Sequence, residues 1–159
     1  MKMNQEPCFV ILALLLGMFC MSCGGEDTTP EGRIRAGVDG AVEAAKDRDV
    51  LGIRSFISES YRDDMGQGKD AVGLLLSAHL KRPTFLHIFH KVKSVSVDPS
   101  GTAEAVVMVA FGTKEIPGAE SLVEVNADVY RIELDLADEE GTWRVTGATW
   151  KQGKATDFL

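Results

Sequence analysis

The chain has 159 residues, a formal net charge of −7 at pH 7 and 45% hydrophobic residues. So acidic a body is poorly matched to nucleic acid and offers anionic headgroups no basic patch. Its cysteines, Cys8, Cys20 and Cys23, all lie near the amino end, so the remainder has no thiol for a disulfide, a nucleophile or a metal site.

Residues 1–22 read as a targeting segment, in which Lys2 precedes an apolar run from Cys8 to Met21. The run is shorter than the ~20 residues that cross a bilayer and has the length of a signal-peptide core. Met21-Ser22-Cys23-Gly24-Gly25 then resembles the lipobox of bacterial lipoproteins, whose cysteine is acylated and becomes the new amino terminus. Ser22 and Cys23 fit that pattern; Cys20 and Met21 depart from it. The resemblance implies lipidation at Cys23 and a place in the bacterial cell envelope. Gly24, rather than Asp, favours the periplasmic side of the outer membrane in a cell that has one. The alternative is an ordinary cleaved signal with Cys23 incidental. Residues 23–30 are the lipidated cysteine and a short polar tether, whose reach of at most about 25 Å keeps the domain near a bilayer to which only the acyl chains bind it.

Residues 31–152 read as one domain and 153–159 as a tail. Thr29-Pro30-Glu31 is a helix start, and Ile34, Val38, Ala41, Val42 and Ala45 follow at helical spacing to about Lys46. Asp47-Arg48-Asp49 breaks it, and Val50, Leu51, Ile53, Phe56 and Ile57 suggest a short second helix. A third, Lys69 to Lys81, carries Val72, Leu75, Leu76, His79 and Leu80 on one side and ends at Arg82-Pro83. Thr84 to Asp98 is a strand whose apolar phase slips between Val92 and Val95. Asp98-Pro99-Ser100-Gly101 is a turn, and Ala103 to Phe111 is apolar on both parities, as in a strand covered on both faces.

Ser121 to Lys151 reads as a long antiparallel hairpin turning at Ala137 to Gly141. Its phase slips near Val129-Tyr130 and again at Gly147, which predicts β-bulges and a bent sheet; burial of both faces is the alternative. Three helices before four strands in a meander predict an α+β fold.

The order resembles the nuclear transport factor 2-like (SnoaL-like, cystatin-like) superfamily over roughly residues 31–152. It does so on the helix ending in Lys46-Asp47-Arg48-Asp49, the Ile57-to-Asp64 segment, and the Gly141-Thr142-Trp143-Arg144-Val145…Ala148-Thr149-Trp150 ending. The resemblance implies a strongly curved sheet, a cone-shaped half barrel around the first helix, with a pocket at its open end. It also implies a homodimer through the outer sheet face.

Members of the superfamily include isomerases, dehydratases and cyclases, and a carboxylate in an apolar cavity can act as a base near neutrality. The candidates here are Tyr61, Asp63, Asp64, His87, His90, Tyr130 and Trp143, with Asp128 beside them, and Tyr61 is preferred. None of them reproduces a catalytic dyad or triad of the family. His87 and His90, three apart on a strand, fall on opposite faces and make poor joint metal ligands. Phosphate-loop, Gly-x-Ser-x-Gly and His-Glu-x-x-His signatures are absent, and neither a metal nor a cofactor is expected. The expected function is a binding or interaction module for a small apolar ligand or a partner chain. An acid–base enzyme or a purely structural accessory subunit is the alternative.

Overall fold

A computed structural model describes residues 28–81 and 87–159. The leader, Cys23, residues 84–86 of the expected strand and the His79 side chain lie outside the described residues. Helix α1 spans Pro30–Lys46. Thr29 caps it, its hydroxyl oxygen accepting from the Gly32 N–H at 3.1 Å, which satisfies one of the amides that a helix start leaves open. Ile34, Val38 and Val42 form its buried stripe. Arg48, at φ 58°, turns the chain, and Asp49 caps helix α2, Val50–Ser55, by accepting from the Gly52 N–H at 3.0 Å. A Cβ on Gly37 would stand 2.4 Å from Phe56 Cε2. The glycine that weakens α1 in isolation therefore lets the Phe56 ring lie against it. Helix α3, Lys69–Leu80, packs Val72 and Leu76 on the core. Leu75, expected beside them, is exposed, as is Leu51 on α2.

Strands β1 (His87–Asp98), β2 (Thr102–Gly112), β3 (Asp128–Glu139) and β4 (Thr142–Gln152) form one antiparallel meander in chain order. Lys93 is an extra residue in β1 opposite β2, and Thr146 an extra residue in β4 opposite β3. Both lie where the apolar phase slips, and such bulges bend a strand. The sheet curves around α1 without closing, so the α+β half barrel stands as expected.

The slip near Val129-Tyr130 has another cause. β2 and β3 pair without a shift from Phe111 opposite Asp128 to Thr102 opposite Ala137. The strand starts only at Asp128. Val123 and Val125 belong to a coiled segment after a 3-10 turn at Ala119–Ser121, where the Val125 N–H donates to the Ser121 carbonyl at 3.0 Å. Leu122 is the buried residue there and Val123 is exposed. The hairpin turn is shorter than expected. Glu140 and Gly141, at φ 54° and 84°, make a two-residue loop with positive φ at both positions, and Ala137 to Glu139 extend β3.

The concave face of the sheet meets the helices. Half of the convex face is covered by the chain itself, as Met108, Ala110 and Val129 pack against Ile116, Leu122 and Phe158. Residues 153–159, expected as a tail, close this layer through a second 3-10 turn, Ala155–Phe158. Phe158 is 0% exposed, its ring centroid 5.4 Å from that of Phe89, and its carbonyl accepts from Lys91 Nζ at 2.7 Å. The other half of the convex face is polar, with Arg131 and Lys151 both paired to Glu133. All core clusters draw on residues between Ile34 and Phe158, so this stretch carries a core of its own.

Candidate functional site

The bulge in β4 builds the site. β4 is the outer strand, so Val145 turns backbone groups away from β3, and the extra residue Thr146 adds a carbonyl outside the ladder; residues 56–62 use both. The Ser58 N–H donates to the Val145 carbonyl at 2.9 Å, the Val145 N–H to Phe56 at 2.8 Å, and the Arg62 N–H to the Thr146 carbonyl at 3.0 Å. The buried Ser58 hydroxyl donates to Glu139 of β3. Held along the edge of β4 in this way, the segment carries Tyr61 into the core, 2% exposed.

Tyr61 lines a cavity of about 280 Å³ inside the curve of the sheet. The walls come from α1 (Val38, Val42), β2 (Val107, Val109) and β3 (Ile132, Leu134), with Phe56, Leu76 and Trp150 closing the sides. Among the described lining residues the Tyr61 hydroxyl and the Trp150 indole N–H are the only polar side-chain groups. A smaller cleft of about 90 Å³ adjoins it, sharing Ala148 and Trp150 and adding Asp63, Asp64 and Met65. At the half-exposed Trp150 the cavity therefore adjoins a cleft that carries two carboxylates.

Asp63 is fixed by its own loop, one carboxylate oxygen accepting from the Met65 N–H at 2.9 Å and the Gln67 N–H at 2.8 Å. Burial pushes the Tyr61 hydroxyl above its ordinary pKa of 10.0, and the Asp63 and Asp64 charges push it the same way. The phenol stays protonated at neutral pH, a hydrogen-bonding group rather than a base. Stability drawn from this group is present in full below its unfolded pKa and lost as pH rises through the higher folded one. A phenolate absorbance titration should show a component above pH 10 that Tyr61→Phe removes. The same variant should soften the loss of thermal stability over that alkaline range. A Tyr61 component titrating at or below its free value would contradict the structure.

The other sequence candidates are placed differently. His90 shares the concave face with Ile88 and Val92, but its Nε2 is bound to Asp39 of α1 at 2.7 Å, tying helix to sheet outside the cavity lining. His87 has the opposite parity at the start of β1, as its spacing from His90 predicts. Tyr130 shares the concave face with Ile132, opposite Val109, and stands edge-on to the cavity residue Phe111 at 6.0 Å without lining the cavity itself; Asp128 is exposed at the start of β3. Trp143 is buried, with an indole nitrogen that has no hydrogen-bond partner among the described residues. It lines a groove of about 550 Å³ between α1, α2 and the β3–β4 turn, which shares Ala41 and Phe56 with the cavity. The charged side chains of that groove are engaged: Arg33 donates to the Gly141 carbonyl and Asp49 caps α2. Trp150, rather than Trp143, belongs to the cavity. Among the described residues no three His, Cys, Asp or Glu side chains converge as metal ligands, and no helix is long and apolar enough to cross a membrane.

Helices packed in the hollow of a bent, unclosed four-stranded sheet, with an apolar chamber at one end, define the class of α+β cones. Within that class the fold is the NTF2-like, or cystatin-like, fold. An NTF2-like protein of unknown function from Pseudomonas putida KT2440 aligns over 80% of this chain and 89% of its own, with a TM-score of 0.58 and 21% identity. A ketosteroid isomerase-like protein from Erwinia carotovora atroseptica aligns over 76% and 94%, with a TM-score of 0.57 and 13% identity. A domain of unknown function with a cystatin-like fold from Nostoc punctiforme PCC 73102 aligns over 76% and 75%, with a TM-score of 0.58 and 14% identity. At such identities the likeness is one of fold. No family model and no curated protein matches the sequence.

Proposed function

We propose that this chain is an envelope lipoprotein, anchored through acyl chains on Cys23, whose cone holds a small apolar ligand without transforming it. The observation that carries the binding reading is the cavity of about 280 Å³ with its almost wholly apolar walls. Such a chamber favours apolar guests by removing their surface from water. An isomerase, dehydratase or cyclase would need a group inside that exchanges a proton near neutrality. The lining supplies Tyr61 alone, and its shift runs away from neutrality. The anchor is supported by the placing of all three cysteines at or before position 23.

Native mass spectrometry on protein beginning at Gly24, purified gently from periplasmic expression, tests the binding reading. A small-molecule adduct, lost when Ala148 is enlarged, is the expected result. Protein that arrives empty and takes up no apolar compound from a panel sinks it. Labelled palmitate should enter the full chain and not Cys23→Ser; labelling of both would refute the anchor. The homodimer implied by the resemblance would join the charged halves of two convex faces, since each chain's carboxyl end covers its apolar half.

A further inference from the structure

The mouth of the cavity carries its own chemistry. Asp63 and Asp64 stand beside Ala148 and Trp150, the two residues that the cleft and the cavity share. No ion pair among the described residues involves either carboxylate, and no Lys or Arg lines the cavity or the cleft. Arg62, their neighbour in sequence, turns back to the Tyr61 carbonyl. On this side of the cavity no cation among the described residues pairs with the two carboxylates. A second observation points inward. The Tyr61 side chain, 2% exposed, faces the cavity with no hydrogen-bond partner for its hydroxyl among the described residues. Trp150, 53% exposed, adds an aromatic face of the kind that attracts cations. Two carboxylates, a phenol oxygen and an indole face are all electron-rich, and each suits a donor bearing positive charge.

Resting on the binding function proposed above, we infer that the ligand is a small apolar amine: its hydrocarbon body fills the cavity and its ammonium group sits at Asp63, Asp64, Trp150 and the Tyr61 oxygen. At roughly 30 Å³ for a water-sized group, a chamber of about 280 Å³ holds on the order of nine methylene-sized groups. The acidic entrance works against fatty-acid carboxylates of the same length, because a carboxylate there would meet like charge.

Calorimetric titration of protein beginning at Gly24 with octylamine, octanol and octanoate at neutral pH separates charge from apolar fit. Octylammonium should bind about tenfold or more tighter than octanol, and octanoate at least about tenfold weaker than octanol. In the Asp63→Asn, Asp64→Asn double variant the advantage of the amine over octanol should vanish. The carboxamide introduced by Asp63→Asn keeps an oxygen for the Met65 and Gln67 amides, so the loop retains its hydrogen bonds. Octanol equal to the amine, or octanoate tightest, overturns the amine assignment and leaves the apolar site standing. A protein that binds none of the three overturns both.

Discussion

A chain ending at Gln152 is expected to be barely stable, and Phe158→Ala alone to lower the free energy of unfolding by about 3–5 kcal/mol. The ring is fully buried against Phe89, and the segment bearing it covers Met108, Ala110 and Val129 on the convex face. The approach is close, for a Cβ on Gly153 would stand 3.1 Å from both Met108 and Val129. Truncation removes this cover and the acceptor of Lys91, exposing apolar sheet to water. Against a typical total of about 5–15 kcal/mol, that is a large share. Urea denaturation reads it directly, and a loss under about 1 kcal/mol would mean that the carboxyl end does not close the convex layer.

Ala148→Trp should move stability and binding in opposite directions. Ala148 lines both the cavity and the cleft, so a larger side chain there enters the chamber from its mouth. Filling a void commonly adds about 0.5–2 kcal/mol to stability, whereas an apolar guest loses its space and should bind at least about tenfold more weakly, ~1.4 kcal/mol. Parallel thermal melts and octanol titrations distinguish this from a general disruption, in which both would fall. Undiminished octanol affinity in a folded variant would place the ligand elsewhere.

Local patterning along the chain discloses much of this fold. The slip from Val92 to Val95 and the glycine at 147 mark the two bulges, because a pleated strand keeps one face inward unless a residue is inserted. The alternation of Val123, Val125 and Ala127 misleads for a related reason: a short apolar run does not separate strand from coil, and the partner that decides it, the buried neighbourhood of Leu122, is made by distant residues. Phe158 is equally opaque, for its partner Phe89 lies far back in the chain.

At the site, Tyr61 is legible through the resemblance of the segment around it. The choice between the tryptophans is not. The bulge at Thr146 puts Trp143 and Trp150 on the same face of β4, yet seven residues of strand, roughly 23 Å at 3.3 Å each, send them to opposite ends of the cone. Only the packing of α3 and residues 56–62 shows which end holds the chamber. Asp63 and Asp64 are legible as charges, but their adjacency to Trp150 is a product of the pairing between that segment and β4.

The extra residue in β1 has an effect beyond shaping the hollow. β1 stands at the outside of the strand order, and its far side pairs with no other described strand. A flat, regular edge of this length would template strand addition from another molecule. The insertion at Lys93 interrupts the ladder spacing and sets a positive charge at that margin. A second copy offering its own β1 would meet mismatched amides and like charge, so the sheet can remain open without seeding polymerisation.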